Sequence, residues 1–185
     1  MSMSTQTLMT AREFETLAGR LGPCELVRGE VITLSPGGLA HNRVVSNAFG
    51  LLRDWARQSG HGRAFTNETG LIVDRRPDTV RGADVVYYSY QRLPRNSGPE
   101  GFSDIPPELV VEVVGKGQGW REMVEKAGEY LRMGVDRVWV IDPSSRRVHV
   151  FRPDVEPLVL GPGSTVTDQD VLPDFHAKTD DLFTD

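Results

Sequence analysis

The sequence predicts an α/β (α+β) fold in which a mixed central sheet is flanked by helices and extended by additional β-hairpins. Three observations predict it. Leu109–Val114 is a short apolar run rich in β-branched residues, the pattern of a strand buried on both faces. Trp120–Met133 carries Met123, Val124, Ala127 and Leu131 at three- and four-residue spacing, the stripe of a helix packed on a sheet. Around this pair the order is helix, hairpin, helix, strands, strand, helix, strands, which is not that of a regular doubly wound fold.

Taken in order, residues 1–9 are expected to fray. Thr10-Ala11-Arg12-Glu13 matches a capping box and opens a short helix to about Ala18. Glu25–Val27, Arg28-Gly29 and Glu30–Leu34 read as a tight hairpin. A loop at 35–38 leads into a helix from about His41 to Gln58, whose apolar face is Val44, Val45, Ala48, Leu51, Leu52 and Trp55, with Gly60 as its stop. Arg63–Val73 reads as one strand or two. Asp84–Tyr88 reads as another, with Asp84 at its start. Arg92–Asp104 has Gly, Pro and Ser without periodicity and reads as a mobile loop. Arg137–Asp142 and Arg147–Phe151 form a hairpin, followed by Val155–Leu160, a Gly-Pro-Gly turn and a last segment from Asp170 to Phe183.

Composition narrows the function. At 185 residues and 38% hydrophobic content the chain suffices for one domain with a proper core, taken as residues 1–185. A net charge of −5 argues against a basic coating and leaves room for a local basic cleft. Arg28, Arg43, Arg92, Arg95, Lys116 and Arg121 are the candidates for such a rim. The single cysteine, Cys24, rules out an intramolecular disulfide and a cysteine zinc site. No leader pattern and no long apolar run are seen, so the expectation is no membrane and a reduced cytoplasm. Walker, dinucleotide and G-x-S-x-G patterns are absent, and His41, His61, His149 and His176 are not spaced as a metal cluster.

What remains is a set of acids and a lysine. Glu112 lies inside the apolar strand, on the face of Val110 and Val114. A buried carboxylate there needs a cation, a proton or a metal; the alternative is a solvated strand end paired with an Arg. Glu122, Lys126 and Tyr130 share one face of the following helix. Asp84 and Glu112 on neighbouring strands form an oxygen-rich site suited to Mg²⁺ or Mn²⁺, with Lys126 beside it to orient water or stabilise charge. Taken alone, the spacing favours an ordinary solvated Glu–Lys pair.

Several stretches, in order, resemble one family: Cys24–Glu30, Leu34-Ser35-Pro36 with His41, Glu68-Thr69-Gly70, Asp78–Val85, Pro107–Val113, Glu125–Leu131, Val138–Pro143 and Asp170–Phe175. They are similar to the Uma-type restriction endonucleases, a bacterial family within the PD-(D/E)XK nuclease superfamily, over roughly residues 8 to 183. The resemblance implies a restriction endonuclease-like core and a metal-dependent endonuclease that hydrolyses phosphodiester bonds in DNA. It implies Asp84 and Glu112 as ligands of Mg²⁺ or Mn²⁺ and Lys126 as the lysine moved from its usual place, here Val114, onto the next helix. Glu122, Glu25 and His41 match further family positions. By analogy with restriction enzymes a homodimer is expected, since duplex cleavage needs two sites. Two departures stand out: Ala83 where many relatives have Pro, and Gly115-Lys116-Gly117 where relatives commonly carry Ser-Pro-Ser. The second places a spare lysine, Lys116, near the acids. The alternative is a catalytically inactive nuclease fold that serves as a binding or regulatory module.

Overall fold

The helix α1 (Ala11–Leu21) starts where the capping pattern places it. Thr10 Oγ1 accepts the Glu13 N–H at 3.3 Å, and the Glu13 carboxylate accepts the Thr10 N–H at 2.8 Å. The helix runs on past Ala18 until Gly22 takes φ +74°. Thr10→Ala removes the cap and should cost about 1 kcal/mol, read as a drop of about 2–4 °C in Tm by differential scanning calorimetry. An unchanged Tm would show that α1 does not need its cap. The structure, a computed structural model, describes residues 8–185. Of the stretch expected to fray, residues 1–7 lie outside the described residues, while Met9 donates its N–H to the Gly29 carbonyl at 2.9 Å.

The remaining elements follow as β1 (Cys24–Val27), β2 (Glu30–Thr33), α2 (Leu39–Ser59), β3 (Gly62–Asp74), β4 (Thr79–Ser89), β5 (Leu109–Val113), α3 (Trp120–Met133), β6 (Arg137–Asp142), β7 (Arg147–Arg152), β8 (Val155–Leu160), β9 (Thr165–Asp168) and β10 (Leu172–Lys178). Arg28 and Gly29 both take positive φ, 51° and 80°, as a two-residue hairpin turn between β1 and β2 demands. The expected tail segment from Asp170 resolves into β10, paired with β9, and a 3₁₀ turn at Thr179–Phe183.

The main sheet has the order β2-β1-β4-β5-β6-β7-β8, with β3 also paired to β4. The β5–β6 pair is parallel, with α3 as its crossover, and the other pairs in this sheet are antiparallel. The mixed sheet flanked by helices is as the sequence predicts. On one face α2, β9 and β10 cover Val85, Val111, Val113 and Trp139. On the other, α3 places Met123, Ala127 and Tyr130 over Val86, Val110, Val138 and Val140. Glu112 shares this second face with Val110, as strand parity requires.

Two expectations need correction. Asp84 does not start its strand; β4 begins at Thr79, because Thr79–Ala83 pair with β3, so Asp84 sits mid-strand. The stretch 92–104 is tied down rather than free. Ser103 bridges to Leu71, exchanging bonds of 2.8 and 2.9 Å with Ile72 and Gly70, and Phe102 stacks on Phe14 with centroids 5.5 Å apart. Pairing partners so far away in sequence leave no periodic signal in the loop itself.

Candidate active site

The site forms where one edge of β4 changes partner. Near its start β4 pairs with β1, Val80 opposite Leu26; further on it pairs with β5, Val85 opposite Val111. Between these points the two partners diverge and the edge of β4 has no strand beside it. Its backbone groups must still be satisfied, and side chains do this. Glu25 Oε1 accepts the Gly82 N–H at 3.0 Å, and Lys126 Nζ donates to the Gly82 carbonyl at 3.2 Å. Across the gap Asp84 Oδ2 accepts the Val113 N–H at 2.7 Å. A fork in the sheet therefore draws Glu25 from β1, Asp84 from β4, Glu112 from β5 and Lys126 from α3 to one point.

Toward α3 the fork holds a buried chain of charges. Lys126 Nζ lies 3.0 Å from Glu112 Oε2 and 3.0 Å from Glu25 Oε1. Glu25 also binds Arg81 at 2.8 Å, and Arg81 reaches Glu129 at 2.6 and 3.1 Å. The other Glu112 oxygen accepts the Tyr130 hydroxyl at 2.6 Å. Glu112 is 4% exposed and Lys126 6%, so neither charge could be left unpaired without a cost of several kcal/mol. Burial pushes the Glu112 carboxyl up to about 8; Lys126 pulls it down and Asp84 pushes it further up. Burial works to strip the Lys126 proton, but Glu112 and Glu25 outweigh it and hold the ammonium charged. Burial raises Glu25 too, and Lys126 and Arg81 overcome it, leaving that carboxyl below its ordinary range.

Toward α2 the fork opens into a cleft of about 470 Å³ that Asp84, Glu112 and Lys126 line. His41, in the first turn of α2, places Nε2 3.5 Å from Asp84 Oδ2. This bond to Asp84, working against burial, lifts the imidazole to about 9, so His41 is a cation at neutral pH. Glu68 stands at the rim on a bulge of β3, where Asn67 and Glu68 take left-handed φ of 73° and 57°. A Cβ on Gly82 would lie 2.7 Å from Glu68 Oε2, so the glycine leaves room for that carboxylate. Glu68 keeps a solvent-facing side, yet desolvation by the walls raises its carboxyl, with Asp84 adding to the effect. Gly82→Ala should push Glu68 outward at little cost in Tm, visible as a changed Glu68 carboxyl resonance in NMR; an unmoved resonance would show that Glu68 has another way to fit.

The predicted residues divide clearly. Asp84, Glu112, Lys126, Glu25 and His41 converge at the fork. Lys116 and Glu122 are exposed residues of the cleft wall, and neither joins the buried chain. The expected basic rim does not assemble as named. Arg92 is engaged by Asp136 at 2.7 Å and by the Pro106 and Pro107 carbonyls, and Arg43 pairs with Asp185. Among the described residues no three His, Cys, Asp or Glu side chains stand in metal-holding geometry. Sequence reasoning missed Arg81, Glu129 and Glu68. Arg81 sits inside a strand that is otherwise buried, and Glu129 follows Lys126 by three residues, so both carried a signal. Glu68 carried only its place in the family-like stretch Glu68-Thr69-Gly70, because the bulge that aims it depends on register.

Comparison with known proteins places the chain in a family and finds its fold in a solved structure. A family model described as "Putative restriction endonuclease" (Uma2) matches residues 11–180. A solved structure titled as a putative nuclease belonging to DUF820, from Anabaena variabilis, superposes with a TM-score of 0.75. It is 23% identical and the match covers 86% of this chain and 89% of that one, a likeness of fold. No curated protein matches the sequence. With nearly its whole length matched by the family model, the chain belongs to the Uma2 restriction endonuclease family.

Proposed function

We propose that the protein is a divalent-metal-dependent endonuclease that hydrolyses phosphodiester bonds in DNA. The observation that carries this reading is the convergence of Asp84, Glu112 and Lys126 on one cleft at the β4 fork. The donor chemistry fits Mg²⁺ or Mn²⁺. The groups are oxygen donors, and Asp84 raises the pKa of both Glu112 and Glu68, a repulsion that a cation relieves. Mg²⁺ is commonly held by one or two carboxylates with water and substrate phosphate completing its shell, which suits a site with two acids rather than a full cage. Asp84 and Glu112 would hold the ion; when bound it polarises a phosphoryl oxygen and lowers the pKa of water.

The chain's own groups prepare that site. The Val113 N–H and His41 both hold Asp84 Oδ2. Tyr130 and Lys126 hold one Glu112 oxygen each, and Lys126 pulls the carboxyl down against the larger upward push of burial. An ammonium has three donors. Those of Lys126 go to Gly82, Glu25 and Glu112, so Lys126 positions Glu112 and reaches a substrate only by releasing a partner. That full occupancy also favours a second reading, a nuclease fold that binds without cutting. Cutting both strands needs two such sites, so the first reading carries a homodimer with it.

The test is conversion of supercoiled plasmid by the purified protein with Mg²⁺ or Mn²⁺, against EDTA. Metal-dependent nicking is expected. Metal binding without cleavage of plasmid or single-stranded DNA would favour the second reading.

A further inference from the structure

A second cleft, of about 340 Å³, lies where the end of α2 meets the first residues of β3 and the end of β4. Arg53, Arg57, Arg63 and Arg95 line it, with Phe49 and Tyr90 between them. Elsewhere among the described residues Arg43, Arg75, Arg81, Arg92, Arg137 and Arg146 each face one or more carboxylates. Here only Arg53 has an acidic partner among the described residues, its neighbour Asp54 at 2.8 Å. Arg95 instead lies over the Tyr90 ring at 3.8 Å and Arg53 over Phe49 at 5.6 Å, contacts that hold the guanidinium planes in place without cancelling their charge. Four arginines gathered with one acidic partner between them, in a protein of net charge −5, form a local positive field that attracts a polyanion.

The placement of this cleft relative to the fork decides which polyanion. His41, Phe49, Arg53 and Arg57 fall on one i, i+4 ridge of α2, so the helix that presents His41 to Asp84 at one end presents the arginines at the other. From His41 to Arg57 is about 24 Å along the helix. From Asp84 to Tyr90 is about 20 Å along β4. At roughly 3.4 Å per phosphate this separation is about six nucleotides of one strand.

We propose that the arginine cleft is a docking surface for the sugar–phosphate backbone of the DNA strand that is cut at the β4 fork. The inference rests on the nuclease reading, and it deepens that reading by naming where the substrate is held. Bidentate guanidinium–phosphate pairing supplies the contact, and the Tyr90 ring holds Arg95 in place while leaving its charge uncancelled.

The experiment measures binding apart from cleavage. A fluorescein-labelled single-stranded oligonucleotide is titrated with the protein in EDTA across a range of NaCl, and anisotropy is recorded. For Arg57→Gln/Arg63→Gln the affinity should fall about tenfold at low salt. The slope of log K against log [NaCl] should become shallower by about 1.5, the loss of two phosphate contacts. Arg12→Gln, an exposed change on α1, should leave both quantities as in wild type, and circular dichroism should show all variants folded. Wild-type affinity and slope in the double variant would overturn the proposal, as would an equal loss in Arg12→Gln, which would mean only bulk charge matters. The two readings fail separately. Arginine-dependent binding by a protein that never cuts would sink the nuclease and keep the docking surface. Cleavage at unchanged KM in the double variant would sink the docking surface and keep the nuclease.

Discussion

Glu112→Gln is expected to abolish cleavage, lowering the single-turnover nicking rate at least about 10³-fold, the scale of losing one main electrostatic element of a site. The amide matches the acid in shape. Its oxygen can still accept from Lys126 while its NH2 donates to the Tyr130 hydroxyl, and Lys126 keeps Glu25 at 3.0 Å as a charged partner. The fold therefore survives, and Tm should stay close to that of wild type. What disappears is the ionisable carboxyl that lines the cleft. A variant that is folded and cuts within about tenfold of wild type would show that Glu112 does not hold the reacting centre together, since a lost ligand costs more than that.

Lys126→Met carries the second large effect, and it falls on stability. The methionine fills the same space but strands Glu112, while Glu25 keeps Arg81. Breaking a buried pair from one side costs about 3–5 kcal/mol. Glu112, whose carboxyl burial already pushes up to about 8, escapes the upper end by taking a proton. The expected loss is therefore about 3 kcal/mol, or about 6–12 °C in Tm for a chain of this size. Adding Glu112→Gln to Lys126→Met should return part of that loss, because the stranded group is then neutral; a double-mutant cycle by urea unfolding reads the coupling. Purely additive effects would mean that the two side chains, 3.0 Å apart here, do not act on one another.

How far the sequence alone reaches depends on whether a feature is local. The strand at Leu109, the helix at Trp120 and the face that Glu112 shares with Val110 follow from periodicity within a few residues, and all stand in the structure. The grouping of Glu122, Lys126 and Tyr130 on one helix face was legible too. It did not reveal that Tyr130 and Lys126 reach the buried end of Glu112 while Glu122 stays outside. The fork was not legible, because it arises when β1 and β5, far apart in the chain, pair with different parts of β4. Asp84 was placed at a strand start for the same reason: the β-rich run begins there, but pairing with β3 extends the strand back to Thr79. Arg81 and Glu129 become a pair only across that fork, and Glu68 is aimed by a bulge.

The central claim is that Asp84 and Glu112 form one cation site at the fork. Isothermal titration of wild type and Glu112→Gln with Mn²⁺, alone and with a non-cleavable phosphorothioate oligonucleotide, tests it most directly. Saturable binding to wild type that is lost in Glu112→Gln is the predicted result. Equal binding by both proteins, or no binding by either even with the oligonucleotide present, would contradict it.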